Sequence, residues 1–318
     1  MSPSGNWDAR ISRRTLLRTG GSFAAGIALA GPLASRAFAA PPFEGNPFAL
    51  GVASGDPTPD GFVLWTRLAP QPLVPGGGLK AEPYGVRWEL ALDEGFTRIV
   101  RRGAVEAVPE EAHSARAELS GLPASTEFFY RFKFGSETSP VGRTRTAPAA
   151  GAGVAALRFA FVSCQNFPDG YFTPYADVVA SDLDAVIHLG DYIYEGPAAT
   201  FRRHEPLREI FSLDDYRVRH GQYKTDEDLQ AAHAALPWLV TWDDHEVDNN
   251  YADDEQDPDA PPEEFLRRRA AAYQAHWEHM PLSRARKPRG PLFDLYRRFR
   301  WGSMATFNVL DGRQYRSD

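Results

Sequence analysis

Arg158-Phe-Ala-Phe-Val-Ser-Cys-Gln-Asn166 and, after a short spacer, Leu183-Asp-Ala-Val-Ile-His-Leu-Gly-Asp-Tyr-Ile-Tyr-Glu195 contain two short apolar runs, Phe159–Val162 and Ala185–Leu189, each followed at once by ligand-type polar residues. β-Branched and aromatic residues in runs of this length are those of buried strands. Thr173–Ala180 between them reads as a short helix. The order is strand, helix, strand, which makes the two strands parallel neighbours. Cys164 and Asp191 then stand at adjacent carboxyl ends, the edge where open α/β sheets place their sites.

Downstream, Trp238–Trp242 repeats the pattern as a third buried strand, and Asp243, Asp244, His245, Glu246, Asp248, Asn249 and Asn250 crowd the turn after it. Carboxylates this close repel one another and raise each other's pKa unless a cation neutralises them, so the cluster implies a metal. An acidic surface loop such as Asp253-Asp254-Glu255 is the plain alternative. The histidine and the buried strand before the cluster argue for the metal.

Upstream, residues 47–147 read as a small all-β domain of immunoglobulin or fibronectin type. Its strands are Gly61–Arg67, Tyr84–Ala91, Ile99–Ala107, Ala115–Leu119, Glu127–Phe134 and Val141–Thr146, with Trp65 and Trp88 in the core. Residues 148–157, nearly all Ala, Gly and Pro, form a linker to a second domain over 158–318. Residues 1–40 carry Arg13-Arg14, a mild apolar run and Ala37-Phe38-Ala39, the grammar of a twin-arginine export signal cleaved near Ala39. The translocase is thus an expected partner, with a periplasmic or extracellular destination. No apolar run reaches the length of a membrane span.

The 318 residues, 43% hydrophobic and 24% charged, suffice for about two domains. A net charge of −7 gives no electrostatic ground for non-specific nucleic-acid binding. Cys164 is the single cysteine, so in an exported chain it is a buried thiol, a reactive one or a ligand. Its place at a strand end favours the ligand. Between the two chemical stretches, Arg202 and Arg203 could reach a phosphate or be merely solvated. Helices are expected at Asp214–Tyr223 behind a Ser212 cap and at Asp226–Leu236, with His220 and His233 as packing residues. A last helix over Pro262–His279 would carry Leu266, Tyr273, Trp277 and Met280 on one stripe, followed by strands near Phe293–Phe299 and Ala305–Leu310.

Four segments together resemble the PhoD-type alkaline phosphatase and phosphodiesterase family of calcineurin-like metallophosphoesterases. They are Ser163-Cys-Gln165, His188-Leu-Gly-Asp-Tyr-Ile-Tyr-Glu195, Thr241-Trp-Asp-Asp-His-Glu246 with Asp248-Asn-Asn250, and Val309-Leu-Asp311 running into Arg313-Gln-Tyr-Arg316. Leu50-Gly-Val-Ala-Ser-Gly-Asp-Pro57 and Leu64-Trp-Thr-Arg67 resemble that family's small β-domain. The resemblance implies an α/β (α+β) metallophosphoesterase-like β-sandwich flanked by helices, preceded by the all-β domain. It also implies phosphate ester hydrolysis at alkaline pH. Cys164, Asp191 and Tyr194 would hold ferric iron (Fe3+), with Asp191 able to bridge. Thiolate, phenolate and carboxylate together suit a trivalent ion. Asp244 and Asn249 or Asn250 would suit calcium (Ca2+). By the same resemblance His245 would stabilise or protonate the leaving oxygen.

Members of that family continue beyond the Leu-Asp-Gly-Arg-Gln-Tyr-Arg element and supply further ligands, so the second domain is expected to be incomplete. Three functional readings follow: an exported phosphoesterase cut short, a short metal-binding homologue with poor turnover, or a non-catalytic exported binding module.

Overall fold

The computed structural model describes residues 44–255 and 261–317. The expected export signal in residues 1–40 lies outside them. Eight strands come first: β1 (Val52–Thr58), β2 (Gly61–Arg67), β3 (Tyr84–Ala91), β4 (Ile99–Ala107), β5 (Ser114–Leu119), β6 (Glu127–Phe134), β7 (Glu137–Thr138) and β8 (Gly142–Arg145). There follow β9 (Phe159–Val162), α1 (Pro174–Ala180), β10 (Ala185–His188), α2 (Leu213–Tyr223), α3 (Glu227–Ala235), β11 (Pro237–Val240), α4 (Pro262–His279), β12 (Arg297–Trp301) and β13 (Ala305–Val309). Among the described residues, no helix is long and apolar enough to cross a membrane.

β9, β10 and β11 are parallel, with His188 opposite both Val162 and Val240. The connections through helices enforce that direction. Ser212 and Asp215 close a capping box on α2, and the Asp226 side chain accepts from Leu229 N–H at the start of α3. These caps satisfy donors that a helix start leaves open.

Two strands were not anticipated, β1 and the two-residue β7. Val52-Ala-Ser-Gly-Asp-Pro-Thr58 forms β1, which pairs antiparallel with β2 and parallel with β11. The result is one six-stranded sheet in the order β5-β2-β1-β11-β10-β9, continuous across the amino- and carboxyl-terminal parts. Gly55 makes the junction possible, since a Cβ there would come within 2.6 Å of the Pro281 carbonyl oxygen and 2.9 Å of that of Trp238. Asp56, at φ +50°, turns its carboxylate onto Arg297 at 2.9 Å, tying β1 to β12.

β2 is buried along its whole length because each face meets a different layer. Phe62 and Leu64 join Val86, Leu90, Phe128 and Tyr130 between β2 and the second sheet, β4-β3-β6-β7 with β8 beside β6. Trp65 faces the other way, contrary to its expected place in the sandwich core. Its indole N–H donates to the Glu278 carbonyl on α4 at 2.8 Å, while Trp88 only packs partly buried against the sandwich core. Arg116 stacks over Trp277 at 3.7 Å and Arg67 reaches His279 at 2.7 Å, so α4 roofs the face made by β2 and β5. On α4, Phe265, Tyr273 and Trp277 are buried, and Leu266 is only half-buried. The larger core gathers the aromatic residues of α1, α2 and α4 on Val186, Trp238 and Val240. That packing holds the carboxyl ends of β9, β10 and β11 at one edge.

Candidate metal centre

The ladder continues past the strand ends. Cys164 N–H donates to the Gly190 carbonyl at 3.1 Å and Gln165 N–H to that of Asp191 at 3.2 Å. Cys164 and Asp191 both adopt φ +55°, a conformation that costs a non-glycine residue energy and clusters at functional sites. Gly190 is obligatory between them, because a Cβ would lie 2.4 Å from the Asp243 nitrogen. This close approach brings the β10 turn onto the β11 turn.

A buried carboxylate fastens the two turns. Glu246 accepts from the backbone N–H groups of Tyr192 at 2.6 Å, Asp191 at 3.1 Å and Asp243 at 2.9 Å. Burial pushes its carboxyl up to about 8, although the three amides pull the other way. A second carboxylate, Glu195, accepts from His245 Nδ1 at 2.8 Å and from Asn249 N–H at 2.8 Å. The bond at Nδ1 leaves His245 Nε2 for the cluster. The imidazole is further fixed against the Tyr194 ring, with centroids 4.2 Å apart.

Ligand-competent atoms of Asp191, Asp244 and His245 all lie within 4.8 Å of one another. Tyr194 donates to Asp191 Oδ2 at 3.1 Å, while the buried Asp191 Oδ1 has no hydrogen-bond partner among the described residues. Burial, with the Asp244 charge adding to it, raises the Asp191 pKa. Burial and the neighbouring Asp191 and Cys164 raise Tyr194 in the same way. At Cys164 the Ser163 hydrogen bond lowers the thiol pKa, but burial and Asp191 outweigh it. Burial and neighbouring negative charge thus work against ionisation at Asp191, Tyr194 and Cys164, and Asp191 keeps a buried carboxylate oxygen without a partner among the described residues. A cation would relieve both at once, so the residues fit a metal.

His245 behaves oppositely to the donors around it. Burial alone would lower its pKa, but the Glu195 hydrogen bond and charge, with Asp191 and Asp244, raise it to about 9. Asp244 itself is buried and accepts from Asn250 N–H at 2.6 Å and from Arg313 at 3.0 Å. Arg313 also holds Asp243 at 2.5 Å.

Of the residues singled out from sequence, Cys164, Asp191, Tyr194, Asp244 and His245 therefore meet. Asn249 and Asn250 arrive beside them through their backbone amides. Arg202 does not join them. Its guanidinium pairs with Asp226 at 2.7 Å and stacks on Phe167 at 3.6 Å, which makes it a structural cation, neither merely solvated nor turned to the cluster. Exposed Arg203 pairs with Glu205 at 3.2 Å. Three residues take supporting roles that the sequence reading did not assign: Glu195, Glu246 and Arg313. All three lie inside the quoted segments, but only tertiary structure shows which backbone groups and carboxylates they hold.

The sheet edge and its cluster of ligand-competent side chains form a candidate metal centre. The model of the PhoD-like phosphatase family matches residues 159–318, and that of its N-terminal domain matches 33–148, so the chain belongs to the PhoD-like phosphatase family. It is 54% identical over 287 residues to alkaline phosphatase D of Bacillus subtilis (strain 168), an alignment covering 88% of this chain and 49% of that protein. A solved structure of PhoD superposes with a TM-score of 0.85 at 53% identity, over 88% of this chain and 54% of the other. The chain spans about half the length of the curated relative it matches.

Proposed function

We propose that the chain carries the core of an exported, metal-dependent phosphoric ester hydrolase. The observation behind the proposal is the meeting of Asp191, Asp244 and His245 within 4.8 Å at the carboxyl edge of the parallel strands, with Tyr194 hydrogen-bonded to Asp191. Cys164, Asp191 and Tyr194 would hold ferric iron, and Asp244 with Asn249 or Asn250 would hold calcium. When bound, such cations supply Lewis acidity toward the phosphoryl oxygens and the attacking water. Glu246 keeps the two ligand turns in register, and Glu195 keeps the Nδ1–H of His245. As water attacks phosphorus, the bond to the ester alcohol breaks and its oxygen takes a proton from His245 Nε2. The division into a β-domain at 47–147, a linker at 148–157 and a catalytic part at 158–318 belongs to the same proposal. So does export of the folded chain by the twin-arginine translocase, which rests on Arg13-Arg14 and the small residues near Ala39.

A second reading has a specific observation behind it: His245 itself stands among the ligand-competent atoms and could bind metal. His245→Ala separates the two. With iron and calcium supplied, nitrophenyl phosphate mono- and diester hydrolysis is expected to fall about 100-fold or more at unchanged metal content. Metal loss in His245→Ala would instead make it a ligand, and unchanged hydrolysis would remove it from the mechanism.

A further inference from the structure

Beside the metal centre, and sharing Cys164 as a wall, a cleft of about 370 Å3 opens between the end of β9 and α1. That volume suits one small organic group. Its floor is apolar, made by Val162, Phe172, Tyr175 and Val178. Several polar groups of its wall are already paired within the protein. Gln165 donates to the Tyr192 carbonyl at 3.0 Å and accepts from the Tyr175 hydroxyl at 2.5 Å, while Asn166 donates to Asp169 at 2.7 Å. What remains for a ligand is mostly carbon surface. The Asp169 carboxylate at the rim repels a phosphoryl group and leaves the cleft to an uncharged substituent. On the same rim Tyr171 is 69% exposed, and the Arg202 guanidinium sits 4.9 Å from its ring centre and 4.7 Å from that of Phe172. The structural Arg202 thus backs an aromatic wall whose outer ring has an open face.

We propose that this cleft receives a flat, uncharged aromatic substituent of the phosphate ester, with Tyr171 as its stacking partner, while the phosphoryl group occupies the metal centre. The proposal rests on the phosphoesterase reading above and adds a substrate class to it: esters carrying an aromatic group bind better than those of small aliphatic alcohols. Aromatic pairing beyond simple burial amounts to about a tenfold gain in affinity.

Calorimetric titration of the full chain, loaded with iron and calcium, tests this with three anions that are not turned over: inorganic phosphate, methylphosphonate and phenylphosphonate. Phenylphosphonate is expected to bind about tenfold more tightly than methylphosphonate. Tyr171→Ala should bring phenylphosphonate down to the methylphosphonate value, and Tyr171→Phe should keep the gain, since the ring and not the hydroxyl is used. Equal affinities for the two phosphonates, or a gain that survives Tyr171→Ala, would overturn the cleft assignment and leave the metal centre standing. Failure of all three anions to bind would overturn the phosphoesterase reading and the cleft with it.

Discussion

Two polar clusters lie back to back at the ends of β10 and β11, and they treat histidine in opposite ways. The outer one, around Asp191 and Asp244, is anionic, and its one histidine, His245, is held by Glu195 and raised to about 9. The inner one gathers His188, His220, His233, His276 and His279 with Lys224 and Arg67 among the aromatic rings of the core. Here burial dominates. It lowers His188 and His276 to about 3 and Lys224 to about 7, and neither ring nitrogen of His220 or His276 has a hydrogen-bond partner among the described residues. The same side chain therefore becomes a cation or stays neutral according to whether a carboxylate outweighs desolvation. A single turn joins the regimes: His188 Nδ1 accepts from Gly190 N–H at 3.2 Å, immediately before Asp191.

Acid should break the inner cluster first, and this is the largest effect expected. Unfolded, each histidine titrates near 6.5, whereas burial keeps the folded ones neutral well below that. Below pH 6.5 the unfolded chain therefore takes up protons that the folded chain does not, and stability falls as pH falls. Each of the five costs about 2 kcal/mol between pH 7 and pH 5. Glu246 and Asp248, raised by burial to about 8 and about 6, work in the opposite direction, as do the raised groups Asp56, Asp191 and His245, and they reduce that loss. Urea midpoints should drop steeply between pH 6.5 and pH 5, and His276→Leu should make the dependence shallower. A flat midpoint would mean the inner histidines are charged in the fold.

The outer cluster should show the reverse balance, costing stability and giving chemistry. Asp191→Asn is expected to remove bound iron, measured by metal analysis, and to lower phosphate ester hydrolysis by about 1000-fold or more. In the metal-free chain the same change should leave the urea midpoint equal or higher, because it relieves crowding among Asp191, Asp244 and Cys164. A lower midpoint would show that the carboxylate stabilises the fold on its own account.

The smallest expected effect lies where the clusters touch. Tyr192 follows Asp191 but sends its hydroxyl inward to His233 Nε2 at 2.8 Å. Tyr192→Phe should cost about 1 kcal/mol, the worth of one buried hydrogen bond, and leave the metal content unchanged. Iron loss in that variant would show that the inner cluster steers the outer one.

These contrasts also show what could be read before the fold was seen. Phe159–Val162, Ala185–Leu189 and Trp238–Trp242 announced themselves because apolar runs between polar ends have few alternatives to a buried strand. The acidic cluster after Trp242 stood out because crowded carboxylates need a cation, whereas Cys164, Asp191 and Tyr194 were singled out as a ligand set by family resemblance. β1 was not legible, since its Gly55 and Asp56 are selected by close approach to Pro281 and by pairing with Arg297, which local propensity cannot register. Arg202 misled for the same reason. Its partner Asp226 and the Phe167 ring lie nearby only in three dimensions, so a loop arginine looked available for phosphate.

The pairing of Gly55 with Trp238 fixes an order of events in the life of the chain. The first strand of the sheet waits for a partner about 180 residues later, so the six-stranded sheet cannot close while synthesis is still within the β-rich part. Until then the edges of β1 and the apolar underside of β2 lack their cover, a span in which a slow, non-local fold is open to misassociation. Closing that sheet also draws Asp56 to Arg297 and seats α4 on Trp65. Closure of the sheet, docking of its two parts and alignment of the donor-bearing strand ends thus become one step.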